Sequence, residues 1–130
     1  MTDHTPETTV YVVDDDPELC ESVAWLLDSI GIKPVICHSA DAFLAVYDGG
    51  HPACIILDVR MPQMSGLELQ WQLATANCPI PLIFVTAHCD EDAHARALRA
   101  GAVDFLYKPF SDEVLLRAVQ SALQSSRGGR

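Results

Sequence analysis

Short apolar runs that each stop at a charged or hydroxyl-bearing residue constrain this chain more than any other feature. Thr9-Val10-Tyr11-Val12-Val13 stops at Asp14-Asp15-Asp16, and Cys54-Ile55-Ile56-Leu57 stops at Asp58. Leu82-Ile83-Phe84-Val85 stops at Thr86, and Phe105-Leu106-Tyr107 stops at Lys108-Pro109. Runs of this length, rich in Val and Ile and without polar alternation, are those of strands buried on both faces, the habit of parallel sheets. In an open sheet of that kind the functional crevice lies outside the carboxyl ends of the strands. Polar groups dispersed through the sequence are therefore expected to meet at one rim.

Helical patterns fill the intervals. Asp16-Pro17 reads as an N-cap followed by proline at the first helical position, and Val23, Leu26, Leu27 and Ile30 recur on one face before Gly31 closes the helix. A short strand, Pro34-Val35-Ile36-Cys37, precedes a second helix capped by Ser39, with Phe43, Leu44 and Val46 or Tyr47 on its apolar side. Asp48-Gly49-Gly50-His51-Pro52 reads as a turn. Ser65 and Glu68 have capping-box spacing for a third helix reaching about Ala76. Pro79 and Pro81 lead into the fourth strand. Asp90, Glu91 and Asp92 suit the first turn of a fourth helix, which stops at Gly101. Ser111 caps the last, whose stripe is Leu115, Ala118, Val119 and Ala122. Trp25 and Trp71 fall in helical patterns and read as packing residues. Five βα units with right-handed crossovers predict an α/β domain: a single doubly wound, five-stranded parallel sheet with five helices, in strand order 2-1-3-4-5. The crevice then lies between strands one and three, which end in Asp14-Asp15 and Asp58.

The chain has 130 residues, 49% hydrophobic and 20% charged, enough for one domain around one sizeable core. Residues 1–8 read as a flexible tail, 9–124 as the domain, and 125–130 as a tail or the start of a linker. The net charge of −10 argues against a nucleic-acid surface and favours cationic partners or a divalent metal. No apolar stretch approaches the roughly 20 residues needed to span a bilayer. The opening residues carry no signal-peptide pattern, so a cytoplasmic location is expected. Five cysteines (Cys20, Cys37, Cys54, Cys78, Cys89), odd in number and without Cys-x-x-Cys spacing, read as free thiols.

Three carboxylates at one crevice repel one another, and a divalent cation removes the conflict. Mg2+ suits carboxylate, carbonyl and water oxygens and brings phosphate oxygens with it. A carboxylate beside such a metal can attack phosphorus, while the metal and an ammonium neutralise the transferring oxygens. Asp58, alone at its strand end, is the candidate nucleophile; Asp14 and Asp15 form the metal-holding pair; Lys108 supplies the ammonium and Thr86 a hydroxyl donor. Asp16 reads as a helix cap. His88, Cys89 and His94 match no strong zinc spacing, and no glycine-rich phosphate loop follows the first strand.

With these residues in hand, the chain resembles a response-regulator receiver domain of two-component signalling, a flavodoxin-like fold. The resemblance rests on Val12–Asp16, Leu57–Glu68, Phe84–His88 and Gly101–Phe110, covers about residues 9–124, and is nearest in wording to receivers of the FixJ branch. It implies a phosphorylation-driven switch, not a general enzyme. Asp58 would accept a phosphoryl group from a sensor histidine kinase. Mg2+ would be held by Asp14, Asp15, Asp58 and the backbone carbonyl of Arg60. Thr86 and Lys108 would grip the phosphoryl oxygens, and Phe105 would be the aromatic that swings inward behind Thr86. The fourth helix, fifth strand and fifth helix would form the responding surface, with a homodimer through the fourth helix and fifth strand in the active form. Lys108-Pro109 would be cis. Receivers of this branch commonly precede a helix-turn-helix domain, so DNA is implied only through an output domain outside these residues; a stand-alone receiver or a degenerate interaction module are the alternatives. Cys89 stands where relatives often carry glycine, and a positive φ there would strain it. Tyr107 replaces a frequent glutamate, and Arg60 and His88 flank the pocket at variable positions. The triple Asp14-Asp15-Asp16 also imitates the motif of haloacid-dehalogenase-type phosphatases, although nothing supplies a cap domain.

Overall fold

A computed structural model of the chain describes residues 9–47, 53–78 and 80–128. The expected 1–8 tail, the 48–52 turn, Pro79 and the last two residues lie outside the described residues. Strands and helices alternate: β1 (Thr9–Val13), α1 (Pro17–Ser29), β2 (Lys33–Cys37), α2 (Ala40–Val46), β3 (Ala53–Asp58), α3 (Gly66–Thr75), β4 (Leu82–Thr86), α4 (Glu91–Arg99), β5 (Asp104–Tyr107) and α5 (Asp112–Gly128). All strand pairs are parallel, in the order β2-β1-β3-β4-β5. This is the predicted doubly wound sheet. The last helix continues through residues 125–128, which composition alone reads as tail.

Side chains alternate between the two faces of a strand, and this splits the core in two. Val10, Val12, Cys54, Ile56, Ile83, Val85 and Leu106 pack with Val23 and Leu27 of α1 and Leu115, Val119 and Ala122 of α5. Tyr11, Val13, Ile55, Leu57, Phe84 and Phe105 pack on the other face with Phe43 of α2, Leu69 and Leu73 of α3, and Ala93 and Ala97 of α4. With both faces covered, no strand needs polar alternation, which explains the unbroken apolar runs.

The helix starts follow their local signals. Asp16 accepts from the Glu18 N–H ahead of Pro17, Ser65 and Glu68 form the reciprocal capping box, and Ser111 accepts from the Val114 N–H. Between α3 and α4, buried Gln70 donates its amide to the Ala97 carbonyl at 3.1 Å.

Three expectations need correction. Trp25 and Trp71 do not pack: they are 84% and 67% exposed. Trp25 lies two residues from both Val23 and Leu27, and Trp71 two from both Leu69 and Leu73, and residues two apart on a helix do not share a face. Of the apolar side expected on α2, Phe43 is buried, with Tyr47 stacked on it at 5.2 Å, while Leu44 and Val46 are exposed. Cys89 carries no backbone strain, because Gln63 and Asn77 are the non-glycine residues with positive φ among the described residues. The thiols are free; Cys20, Cys37 and Cys54 are buried and Cys89 is exposed. Burial pushes the Cys54 thiol up to about 12, so it stays protonated.

Gly66, at the start of α3, sits against the end of β3. Its N–H donates to the Val59 carbonyl at 2.9 Å, and a Cβ there would collide with the Asp58 carbonyl oxygen and press on the Phe84 ring. Gly66→Ala is therefore expected to destabilise the domain by about 1–3 kcal/mol, read as a lower urea midpoint; an unchanged midpoint would mean that the helix entry yields freely. Trp25→Ser, by contrast, should shift stability by less than about 0.5 kcal/mol, the usual range for a surface change, and the same denaturation series measures it.

Candidate functional site

Register brings the carboxyl ends of the strands level. Val13 pairs with Cys37 on one side and Leu57 on the other, Asp58 pairs with Val85, and Thr86 with Tyr107. The ladder runs one residue further: the Asp14 N–H donates to Cys37 O at 3.0 Å, Val59 N–H to Val85 O at 3.1 Å, and Lys108 N–H to Thr86 O at 2.7 Å. Residues remote in sequence thus share one rim.

Asp14 and Asp58 are buried there and Asp15 is exposed beside them; one carboxylate oxygen from each lies within 4.8 Å of the others. Asp14 Oδ1 accepts from the Asp16 N–H at 2.9 Å, and its Oδ2 accepts from Lys108 Nζ at 3.0 Å. The same ammonium is 4.0 Å from Asp58 Oδ2, and Asp58 Oδ1 accepts from the Arg60 N–H at 3.3 Å. The Lys108-Pro109 bond is cis. Burial, then the neighbouring Asp14 charge, pushes the Asp58 carboxyl up to about 6, against the opposing pull of Lys108 and the Arg60 N–H. A carboxylate cluster whose ionisation is disfavoured in this way suits a hard divalent cation with oxygen ligands, and these three residues could hold one.

Thr86 is buried, and its Oγ1 accepts from the His88 N–H at 3.1 Å, which leaves its own hydrogen to donate. Asp16 stands apart as the α1 cap. Arg60 turns its guanidinium to Asp90, the N-cap of α4, at 3.7 Å across solvent-exposed surface. Phe105 is buried rather than outward. It lies 4.5 Å from the His94 ring in a parallel stack and 5.8 Å from Phe84, and His94 Nδ1 is hydrogen-bonded to the Tyr107 hydroxyl at 2.9 Å. Among the described residues His88, Cys89 and His94 join no metal-binding group.

Sequence reasoning missed the parts played by four residues. Gly66 closes the floor beneath Asp58, a packing demand with no positive φ to advertise it. His94 faces Phe105 across the α4–β5 contact, and nothing in helical spacing names the partner of an i,i+3 face. His38 and Cys20 both reach the backbone carbonyl of Asp14. For His38 a signal existed: it is the residue immediately after β2, where the strand-end rule also applies.

Comparison with known proteins agrees with this architecture. Residues 10–120 match the family described as response regulator receiver domain. The chain is 46% identical over 120 residues to the response regulator protein TmoT of Ectopseudomonas mendocina, covering 91% of this chain and 54% of that protein. It is 37% identical over 122 residues to the transcriptional regulatory protein FixJ of Bradyrhizobium diazoefficiens, covering 94% of this chain and 60% of that one. Among solved structures, response regulator StyR superposes with a TM-score of 0.90 at 42% identity, over 95% of this chain and 63% of that one. The chain spans about half the length of curated relatives such as TmoT. The family match takes in four of the five strands entire and nearly all of β1, together with every residue of the acidic pocket, and by that measure this chain belongs to the response-regulator receiver domains of two-component systems.

Proposed function

We propose that this receiver is a phosphorylation-activated signalling switch that takes a phosphoryl group from a sensor histidine kinase onto Asp58. The observation that carries the reading is the placement of Lys108 Nζ, 3.0 Å from Asp14 and 4.0 Å from Asp58, over a three-carboxylate cluster. That arrangement couples a nucleophilic oxygen, a place for a cation and a fixed positive charge.

In the proposed reaction a carboxylate oxygen of Asp58 attacks phosphorus and forms an O–P bond as the N–P bond of the kinase phosphohistidine breaks, the electron pair returning to the imidazole. Asp14, Asp15, Asp58 and the Arg60 carbonyl are the proposed ligands of Mg2+, which would neutralise charge on the transferring oxygens when bound. Lys108 supplies a second positive charge to those oxygens. Thr86 donates its hydroxyl hydrogen to one of them. Because the Thr86 carbonyl is bonded to Lys108 N–H, a shift at Thr86 bears directly on β5, where Phe105 and Tyr107 meet α4. The proposed output surface is α4, β5 and α5, and the active form would pair with a second copy through α4 and β5. Relatives carrying the name transcriptional regulatory protein, FixJ among them, support a role in controlling transcription; in the proposed reading this control is exerted through a DNA-binding output domain and in the cytoplasm. Among the described residues no helix is long and apolar enough to cross a membrane.

Two outcomes test this. With Mg2+ and a small phosphodonor such as phosphoramidate, the parent should gain the mass of one phosphoryl group, and Asp58→Asn should gain none; a variant modified as fully as the parent would assign the acceptor elsewhere. The second concerns pH. A carboxyl whose folded pKa is raised to about 6, against about 3.9 unfolded, contributes stability that is full below about 4 and is lost as pH rises through 6. In chelator at pH 7.5, Asp58→Asn should therefore be more stable than the parent by on the order of 1–2 kcal/mol. That advantage should shrink on acidification to pH 4, as followed by paired urea titrations.

A further inference from the structure

The backbone carbonyl oxygen of Asp14 receives two side chains from different elements. Cys20 Sγ, in α1, lies 3.3 Å from it, and His38 Nδ1, just past β2, lies 3.2 Å from it. A carbonyl oxygen has two lone pairs and no hydrogen, so both partners donate, and His38 must carry its proton on Nδ1. Sγ and Nδ1 are themselves 4.0 Å apart, converging on the one oxygen. Neither is needed merely to join the strands, because the Asp14 N–H already bonds Cys37 O at 3.0 Å. Neither touches the carboxylate of Asp14, which is held by the Asp16 N–H and Lys108.

What the two donors do hold is the peptide unit between Asp14 and Asp15. That unit is planar, so anchoring its oxygen also sets the plane from which the Asp15 Cα and side chain depart. Asp15 is the exposed member of the cluster, flanked by buried Asp14 and Asp58. We infer that Cys20 and His38 are positioning residues that clamp the Asp14–Asp15 peptide and so hold the Asp15 carboxylate where its oxygen joins those of Asp14 and Asp58 around a divalent cation. This inference rests on the metal-binding reading of the pocket.

Calorimetric titration of the metal-free chain with Mg2+, together with the amide NMR spectrum of Asp15 before metal is added, tests it. His38→Leu and Cys20→Ala each remove a donor, whereas His38→Asn and Cys20→Ser keep one at nearly the same place. Each removal is expected to weaken Mg2+ binding by about tenfold, as loss of an outer-shell partner does, and to move the Asp15 amide resonance in the metal-free protein. The donor-keeping pair should return the affinity close to that of the parent. His38 is exposed, so its variants fold even if those at buried Cys20 do not. Removal variants that bind Mg2+ as tightly as the parent, even with a lowered melting temperature, would overturn the inference, as would donor-keeping variants no better than the removals. A parent that binds no Mg2+ would instead overturn the pocket reading beneath it.

Discussion

The constraint on which the rest depends is the gathering of three carboxylates under one ammonium. Withdrawing like charges from water beside each other is costly, and the Asp58 carboxyl registers that cost in its raised pKa. Lys108 offsets part of it from a position 94 residues away in sequence from Asp14. The pocket therefore exists only when β5 is docked on β4 and when β1 and β3 are neighbours. Strand order is what makes the chemistry, because β1 and β3 lie side by side while the helices that follow them, α1 and α3, pack on opposite faces of the sheet.

The same arrangement ties the pocket to a surface. Thr86 reaches the rim with its hydroxyl and grips Lys108 with its carbonyl, so β4 and β5 move as one ladder at that point. Two residue pairs back along that ladder, Phe105 lies between Phe84 and His94, and Tyr107 is bonded to His94. The proposed signal thus has a short mechanical route, from the oxygens around Asp58 through Thr86 to the α4 face. The inward Phe105, flat against His94, places this chain's aromatic on the buried side of that route. Arg60 and Asp90 form a second, weaker link between the Asp58 loop and the start of α4; exposed pairs of this kind contribute little energy.

Legibility tracked the range of the interaction. Caps at Asp16, Ser65 and Ser111 are settled within three residues and were readable as such. Strand-end chemistry was readable because burial on both faces makes each apolar run end abruptly at the rim. Trp25 and Trp71 are exposed despite their residue type, because two residues off a buried position is the wrong side of a helix. Gly66 and His94 were not readable, since the atoms they meet lie on other elements.

By itself the sequence determined the βα rhythm, the covered parallel sheet and the identities of Asp14, Asp15, Asp58, Thr86 and Lys108 as the polar groups at its edge, because periodicity and strand length are local properties of a chain. Only the tertiary structure decided that Lys108 bonds Asp14 more closely than Asp58, that Phe105 stacks on His94, and that Cys20 and His38 share the Asp14 carbonyl. Those choices depend on register and packing between elements far apart in the chain, and angstrom-scale distances between such elements are written in no single segment of it.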